Sequence, residues 1–552
     1  MPSSLFRSRS SSAGLAGETV LLLVSLFWTL TCHRPFFTAA LQGRDPAEPS
    51  TWGWALALGT ALTALNLLVL ALLCHGRLFK PVLALLLVVA AGATHFMTTF
   101  GVYLDPSMLR NALRTDPAEA RELLSLGFAA RLLLQAGLPI ALLWWLPIRR
   151  RSWGRALGVR LGVIAAALAV LVGAVMAVFQ PFASLMRNQK DLRYLITPTN
   201  VLWSTGSVVA TDLKGAAKPR QPLGLDAQPG PAMAARTRPT VLVVVVGETA
   251  RAANWGLNGY ARQTTPALAQ IADLVNFRQV TSCGTNTEVS VPCLFAPVGR
   301  RDYDEARIRG SESLLHVLNR AGVGVLWRDN QSGCKGVCEG LPSEDVPKQN
   351  PPGLCSDGRC LDEALLAGLD ARLAQAQGTQ VIVLHQLGNH GPSYFRRYPP
   401  AFARFTPACE KDDLRQCEVP AIVNAYDNAL LYTDHVLAAL IRQLQVRADR
   451  VDSALLYVSD HGESLGESNL FLHGMPYAIA PDVQKQVPMV MWFSAGLRTA
   501  AGLDLDCLRR RAAQPAAHDH VFHTVLGLAD VRTALYEPDW DLTRACRTGA
   551  AR

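Results

Sequence analysis

The stretch VLVVVVGET, residues 241–249, sets six apolar residues in a row, five of them β-branched, and then stops abruptly at a glycine and an acid. A strand covered on one face alternates apolar and polar residues, whereas a strand covered on both faces reads as one continuous run. Four later stretches share that character: VGVLW (323–327), QVIVLH (380–385), ALLYVS (454–459) and VPMVMWF (487–493). Helical patterns lie between them, as over Pro420–Leu444. Buried strands alternating with helices predict an α/β domain from Thr240 onward.

In open α/β sheets, ligands collect outside the carboxyl ends of the strands. VLVVVV runs into Gly247, Glu248 and Thr249, and ALLYVS runs into Asp460, His461, Gly462 and Glu463. Glu248, Asp460 and His461 would make a zinc or manganese shell with a position left open. An Asp-His pair after a strand is more commonly a cap or turn, so the pattern leaves both readings standing. TSCGTNTEVSVPCLF (281–295) places Thr285 and Thr287 where a glycine turn gives way to a helix. A hydroxyl there lies beside unpaired N–H groups that favour phosphate. The same spacing suits a plain N-cap. His385 and His390 in LHQLGNHGPSY, and His473 in FLHGMPY, also follow strands or turns and fit structural or functional roles equally.

Half of the 552 residues are hydrophobic, and they crowd into the part before residue 182. Five segments there, Thr19–Phe37, Trp52–Cys74, Pro81–Phe100, Phe128–Ile148 and Leu161–Gln180, approach the span of about 20 residues that a bilayer core demands. Arg7 and Arg9 precede the first segment, Arg77 and Lys80 separate the second from the third, and Arg149, Arg150, Arg151, Arg155 and Arg160 separate the fourth from the fifth. Basic loops stay on the cytoplasmic side, so five spans deliver everything after Gln180 to the opposite face. Cysteine usage agrees. Ten of the 12 cysteines follow residue 282, mostly as close couples, a pattern that reads as disulfides in an oxidising compartment. Of these couples only Cys334 with Cys338 has a spacing that zinc would also tolerate.

The expected organisation is a five-helix transmembrane domain over 1–181, an interfacial segment and Pro/Ala/Gly-rich linker over 182–239, and a catalytic domain over 240–552. The external loop 101–126 contains MLRNALRTDPAEARELL, an amphipathic segment with Met108, Leu109, Leu113, Leu123 and Leu124 set against Asn111, Thr115, Asp116 and Glu119. The net charge of +9 sits largely beside the apolar runs, with no nucleic-acid motif accompanying it. Little intramembrane charge marks a transport path. VPCLFAP lacks the arginine of the sulfatase modification context, which sets a sulfatase activity aside.

VVVGETAR, NGY (258–260), TSCGTNT with VPC, WRDNQSGCKGVC (327–338), HQLGNHGPSYFRRYP, YDNALLYTD (426–434), SDHGESLGE and LHGMPYAIAP together resemble the lipid A phosphoethanolamine transferases, the family that includes transferable polymyxin-resistance enzymes. The resemblance implies an alkaline-phosphatase-like catalytic domain in the periplasm, anchored in the bacterial inner membrane. It implies a zinc ion held by Glu248, Asp460, His461 and the hydroxyl of Thr287, with Thr287 as nucleophile. Lys335, Ser332, His390 and His473 would hold or protonate the phosphoethanolamine group, and Asn111, Thr115 and Glu119 would help bind the donor, with His385 a further substrate-side residue. The implied donor is phosphatidylethanolamine and the implied acceptor lipid A, in a monomer with no nucleic-acid partner. A lipopolysaccharide core sugar or another glycan is the alternative acceptor, and phosphoglycerol the alternative group. Ser468–Phe471 and Ala253 depart from the family's usual pattern, which leaves the acceptor preference open.

Overall fold

A computed structural model of the protein describes residues 14–548 apart from 116, 150, 217–218 and 357. Arg7, Arg9, Arg150 and Asp116, used above, lie outside the described residues, as does the side chain of Glu119. The chain divides into two compact units, Met1–Leu109 with Leu124–Ser207, and Arg110–Leu123 with Val208–Arg552.

In the first unit, helices of 25, 25, 20 and 25 residues (Pro49–Leu73, Gly76–Phe100, Leu126–Trp145 and Trp153–Ala177) are long and apolar enough to cross a membrane. Gly17–Thr31 and Arg34–Ala40, bent by 56°, make a fifth when counted as one broken span, which matches the number read from sequence. Trp28, Leu70, Leu83 and Leu87 pack inside the unit, whereas Leu22, Leu30, Leu56 and Leu133 stay exposed, as suits a lipid surround. Arg160 donates to the carbonyls of Ala71 and Cys74 at 2.8 and 2.7 Å, satisfying the exposed end of Pro49–Leu73.

The second unit is built on one eight-stranded sheet. Its strands are β1 (Thr240–Gly247), β2 (Val275–Thr281), β3 (Gly324–Asp329), β4 (Ser343–Asp345), β5 (Thr379–His385), β6 (Asp452–Ser459), β7 (Gln486–Phe493) and β8 (Ala516–Ala517), in spatial order β8-β2-β7-β6-β1-β5-β3-β4. β7 runs antiparallel to both neighbours, and the remaining pairs are parallel. The five strands read from continuous apolar runs are all present, and β1 shows why they read that way. Val241, Val243 and Val245 enter the core beneath helix α2 (Val419–Val446), with Ile422, Tyr426, Leu437 and Ile441. Leu242, Val244 and Val246 enter the opposite core, with Leu314, Leu318, Val521 and Phe522. Every β1 residue is therefore buried.

Register sets the site. Across β1, Val246 pairs with His385 of β5 and Gly247 with Ser459 of β6, while Asp329 of β3 pairs with His385. The four carboxyl ends finish nearly level, so the residues that follow them meet.

The proline-rich stretch before β1 is ordered against this unit: Gln228–Pro229 pairs with Val531–Arg532, and Met233 N–H donates to Asp530 at 2.7 Å. Five disulfides join Cys283–Cys293, Cys334–Cys338, Cys355–Cys360, Cys409–Cys417 and Cys507–Cys546, so Cys334 and Cys338 are a disulfide and not a zinc pair. Cys32 and Cys74 are free and buried.

Candidate active site

Past Gly247 the chain turns through Thr249, whose φ of 61° is left-handed, and this aims Glu248 across the sheet end. Thr249 N–H donates to Asp460 Oδ1 at 3.1 Å, tying the β1 exit to the β6 exit. The loop after β5 passes directly over the same turn. A Cβ on Gly388 would lie 2.6 Å from the Glu248 carbonyl, and Gly388 itself has φ +52°, so only glycine suits the position. Asn389 N–H then donates to that carbonyl at 3.0 Å, which leads the loop on to His390.

Thr287 is the first residue of helix α1 (Thr287–Leu294). It is not the N-cap. Asn286 caps the helix, its side chain accepting from Val289 N–H at 3.0 Å, and Thr285 donates its hydroxyl to the Met475 carbonyl at 2.6 Å. Released from capping, the Thr287 hydroxyl lies 3.1 and 3.3 Å from the two Glu248 oxygens and 3.4 Å from His461 Nε2. The Cys283–Cys293 bridge closes the turn that presents it.

Glu248, Asp460 and His461 are fully buried, and one ligand atom from each lies within 4.8 Å of the others. His461 Nδ1 donates to the Gly462 carbonyl at 2.9 Å, which turns Nε2 toward the site. Asp460 Oδ2 is buried with no hydrogen-bond partner. Burial pushes Asp460 up to about 7, helped by the charge of Glu248. Burial opposes charge on His461 too, but Asp460 and Glu248 outweigh it and raise the imidazole to about 10. Burial likewise works against an ionised Glu248, yet the hydrogen bond and charge of His461 hold its carboxyl well below the usual range. Two carboxylates and an inward imidazole nitrogen gathered in a dry site, one carboxylate oxygen without a hydrogen bond, suit a metal ion in that place.

Glu248, His390 and His473 form a second group with the same spacing. Burial lowers both histidines to about 3, so they stand as neutral bases. The His473 ring centroid is 4.3 Å from that of His461, and its Nδ1 lies 3.2 Å from Glu463 Oε1. His385 is fully buried. Its Nδ1 lies 2.8 Å from Asp329 Oδ1, which also accepts from Trp327 Nε1 at 3.0 Å.

Asp329 orders the next loop by accepting from Gln331 N–H at 3.2 Å and Gly333 N–H at 2.7 Å. That loop carries Ser332 and Lys335. Lys335 Nζ donates to the Ser332 carbonyl at 3.1 Å and stands 3.5 Å from Glu288 Oε1. Asn111 and Thr115 share the helix Pro106–Arg114 and its exit, where the Thr115 hydroxyl donates to the Asn111 carbonyl at 2.9 Å.

Sequence reading missed three members of this neighbourhood. Glu288 is buried among Lys335, Arg114 at 3.0 Å and Arg309 at 3.2 Å. Gln331 donates to Glu248 at 3.3 Å, and Glu463 backs His473. All three sit inside the stretches quoted above; Glu288 reads there as an ordinary acid of a first helical turn, and Gln331 and Glu463 as ordinary loop residues.

Comparison with known proteins gives the class first. The family described as Sulfatase matches residues 240–531, and the one described as Phosphoethanolamine transferase EptA/EptB matches residues 62–213. The chain is 37% identical over 534 residues to phosphoethanolamine transferase EptA of Escherichia coli K12, covering 96% of each. It is 41% identical over 479 residues to phosphatidylethanolamine transferase Mcr-1 of Escherichia coli, covering 85% of this chain and 88% of the other. The full-length integral membrane lipooligosaccharide phosphoethanolamine transferase A of Neisseria meningitidis superposes with a TM-score of 0.92 at 38% identity, covering 97% of this chain and 99% of that one. Together these describe a membrane enzyme with a sulfatase-type catalytic domain. The chain belongs to the EptA-type phosphoethanolamine transferase family.

Proposed function

We propose that this enzyme moves phosphoethanolamine from phosphatidylethanolamine to a phosphate of lipid A through a covalent intermediate on Thr287, with zinc as its metal. The observation that carries the reading is the Thr287 hydroxyl, freed from helix capping and placed 3.1 to 3.4 Å from Glu248 and His461. Glu248, Asp460 and His461, with the Thr287 hydroxyl, would hold the ion. Zinc bound there supplies a Lewis acid that lowers the pKa of a bound hydroxyl.

Thr287 Oγ1 attacks the donor phosphorus: an Oγ1–P bond forms, the P–O bond to diacylglycerol breaks, and the threonine proton ends on the departing diacylglycerol oxygen. His390, half-buried, or His473, buried, passes that proton as a neutral imidazole. Lys335 and the N–H groups opening α1 offset charge on the transferring group. In the second half, an oxygen of the monoprotonated lipid A phosphate attacks phosphorus, the Oγ1–P bond breaks, and the proton of that phosphate passes to Thr287 Oγ1. Ser332, Asn111, Thr115 and Glu119 are assigned to the donor headgroup, and His385, pinned by Asp329, to support of the substrate side.

Both substrates are lipids, so the helical unit holds the catalysis at a membrane surface. Five disulfides and the distribution of basic loops favour the periplasmic face of the inner membrane. The product gains an ammonium, which weakens the attraction of cationic peptides such as polymyxin.

Mass spectrometry of lipid A from a polymyxin-sensitive Gram-negative host tests the proposal. The intact chain should add a phosphoethanolamine mass and the Thr287→Ala variant none. Modification by Thr287→Ala at the parent level sinks the nucleophile assignment. No lipid A increment from well-expressed parent protein moves the acceptor to a core sugar.

A further inference from the structure

Glu122 ends the short helix Pro117–Glu122 in an external loop, yet it is only 4% exposed. Both of its oxygens are engaged. Oε2 accepts from Arg397 Nη2 at 2.7 Å, and Oε1 pairs with Arg359. Arg359 stands on the hairpin Cys355–Ser356 with Arg359–Cys360, which the Cys355–Cys360 disulfide closes. Arg397 is itself 4% exposed, and its Nε donates to the backbone carbonyl of His390 at 2.7 Å. One guanidinium thus holds the loop carboxylate through Nη2 and the His390 backbone through Nε.

The same loop is tied at its other end. Arg110 pairs with Glu305, and Arg114 pairs at 3.0 Å with Glu288, the residue after Thr287. Asn111, Thr115 and Glu119 lie along the chain between the two ties. A buried ion pair gives little net stability over an apolar alternative, because desolvation offsets most of the attraction. A carboxylate flanked by two arginines therefore points to a role in geometry more than in stability.

We propose that Arg397, oriented by Glu122, is a positioning residue for His390, so that the docked loop sets where the imidazole stands against Thr287. This rests on the reading of His390 as a proton-transfer group. The guanidinium is needed because its planar fork serves two acceptors in fixed directions, whereas a lysine ammonium on a flexible stem keeps the charge opposite Glu122 and loses the second direction.

The test uses purified full-length enzyme in detergent, with a fluorescent phosphatidylethanolamine as donor and lipid A as acceptor. Arg397→Lys should lower kcat by ~10- to 100-fold, the scale expected for slight misplacement of a reacting group, with donor KM and melting midpoint near the parent values. In a His390→Ala background, Arg397→Lys should add less than about a twofold further loss, because the two changes remove one function. Parent-level kcat for Arg397→Lys, or an equal loss in both backgrounds, overturns the proposal. If His390→Ala alone turns over at the parent rate, the role of His390 falls instead, and the two failures are told apart. Should Arg397→Lys not fold, Glu122→Gln assayed well below its own melting midpoint carries the same comparison.

Discussion

Asp460 carries two jobs on one carboxylate. Oδ1 is spent on the N–H groups of Thr249 and His461, at 3.1 and 2.7 Å, which fixes the turn. Oδ2 is left buried without a hydrogen bond, 3.3 Å from His461 Nε2, which fits a ligand atom. Asp460→Asn should keep the turn, since the amide oxygen still accepts, while losing the negative ligand. Metal analysis of the purified variant should give zinc well below one ion per chain with a nearly parental melting midpoint. Full zinc occupancy in that variant would remove Asp460 from the ligand set. At this scale the sequence said much about which residue types gather and little about which threonine acts. Thr285 and Thr287 both sit at the helix start, and only the side-chain partners of Asn286 and Thr285 leave Thr287 free. Arg397 and Glu122 were illegible for a plainer reason: ion pairs between residues so far apart in the chain have no local signature.

At the scale of elements, the strands buried on both faces announced themselves and those near the edges did not. β2 buries Val275, Phe277 and Val280 but carries Asn276, Arg278 and Gln279 between them, so no apolar run forms. β4 and β8 have three and two residues, too few for any period. Helix α2 was legible over nearly its whole length, and its register against β1 matters for the site. Tyr426 is fully buried; its hydroxyl donates to the Thr249 carbonyl at 2.7 Å and accepts from Arg251 N–H at 2.9 Å. Tyr426→Phe leaves both backbone groups unsatisfied next to Glu248. It should destabilise the protein by about 1–3 kcal/mol, read by thermal unfolding in detergent, and lower turnover beyond what unfolding explains. Parental stability in that variant would show that the turn holds without the helix.

For the whole molecule, the disulfides divide by loop length. Cys507–Cys546 closes 39 residues and Cys334–Cys338 closes four. Loop-closure entropy gives about 4 kcal/mol for the long bridge and about 2 kcal/mol for the short one. Replacing both cysteines of the long pair with serine should lower the melting midpoint more. Replacing the short pair should cost less stability and more transfer activity, because its loop carries Lys335. The reverse ranking of activities would separate that loop from the chemistry.

The assignment of Arg110–Leu123 to the second unit, while its flanking residues belong to the first, bears on how the protein is made and studied. This short stretch leaves the ribosome before Val208–Arg552, the part it folds with, exists. It must wait as an unfinished piece through the synthesis of two further membrane-length helices. A fragment begun at Val208 would never receive it. Such a fragment could fold, bind metal and crystallise, yet its turnover would be that of a machine assembled with a part left out. Comparing it with the same fragment supplied with a peptide of residues 110–123 would give that missing part a rate constant of its own.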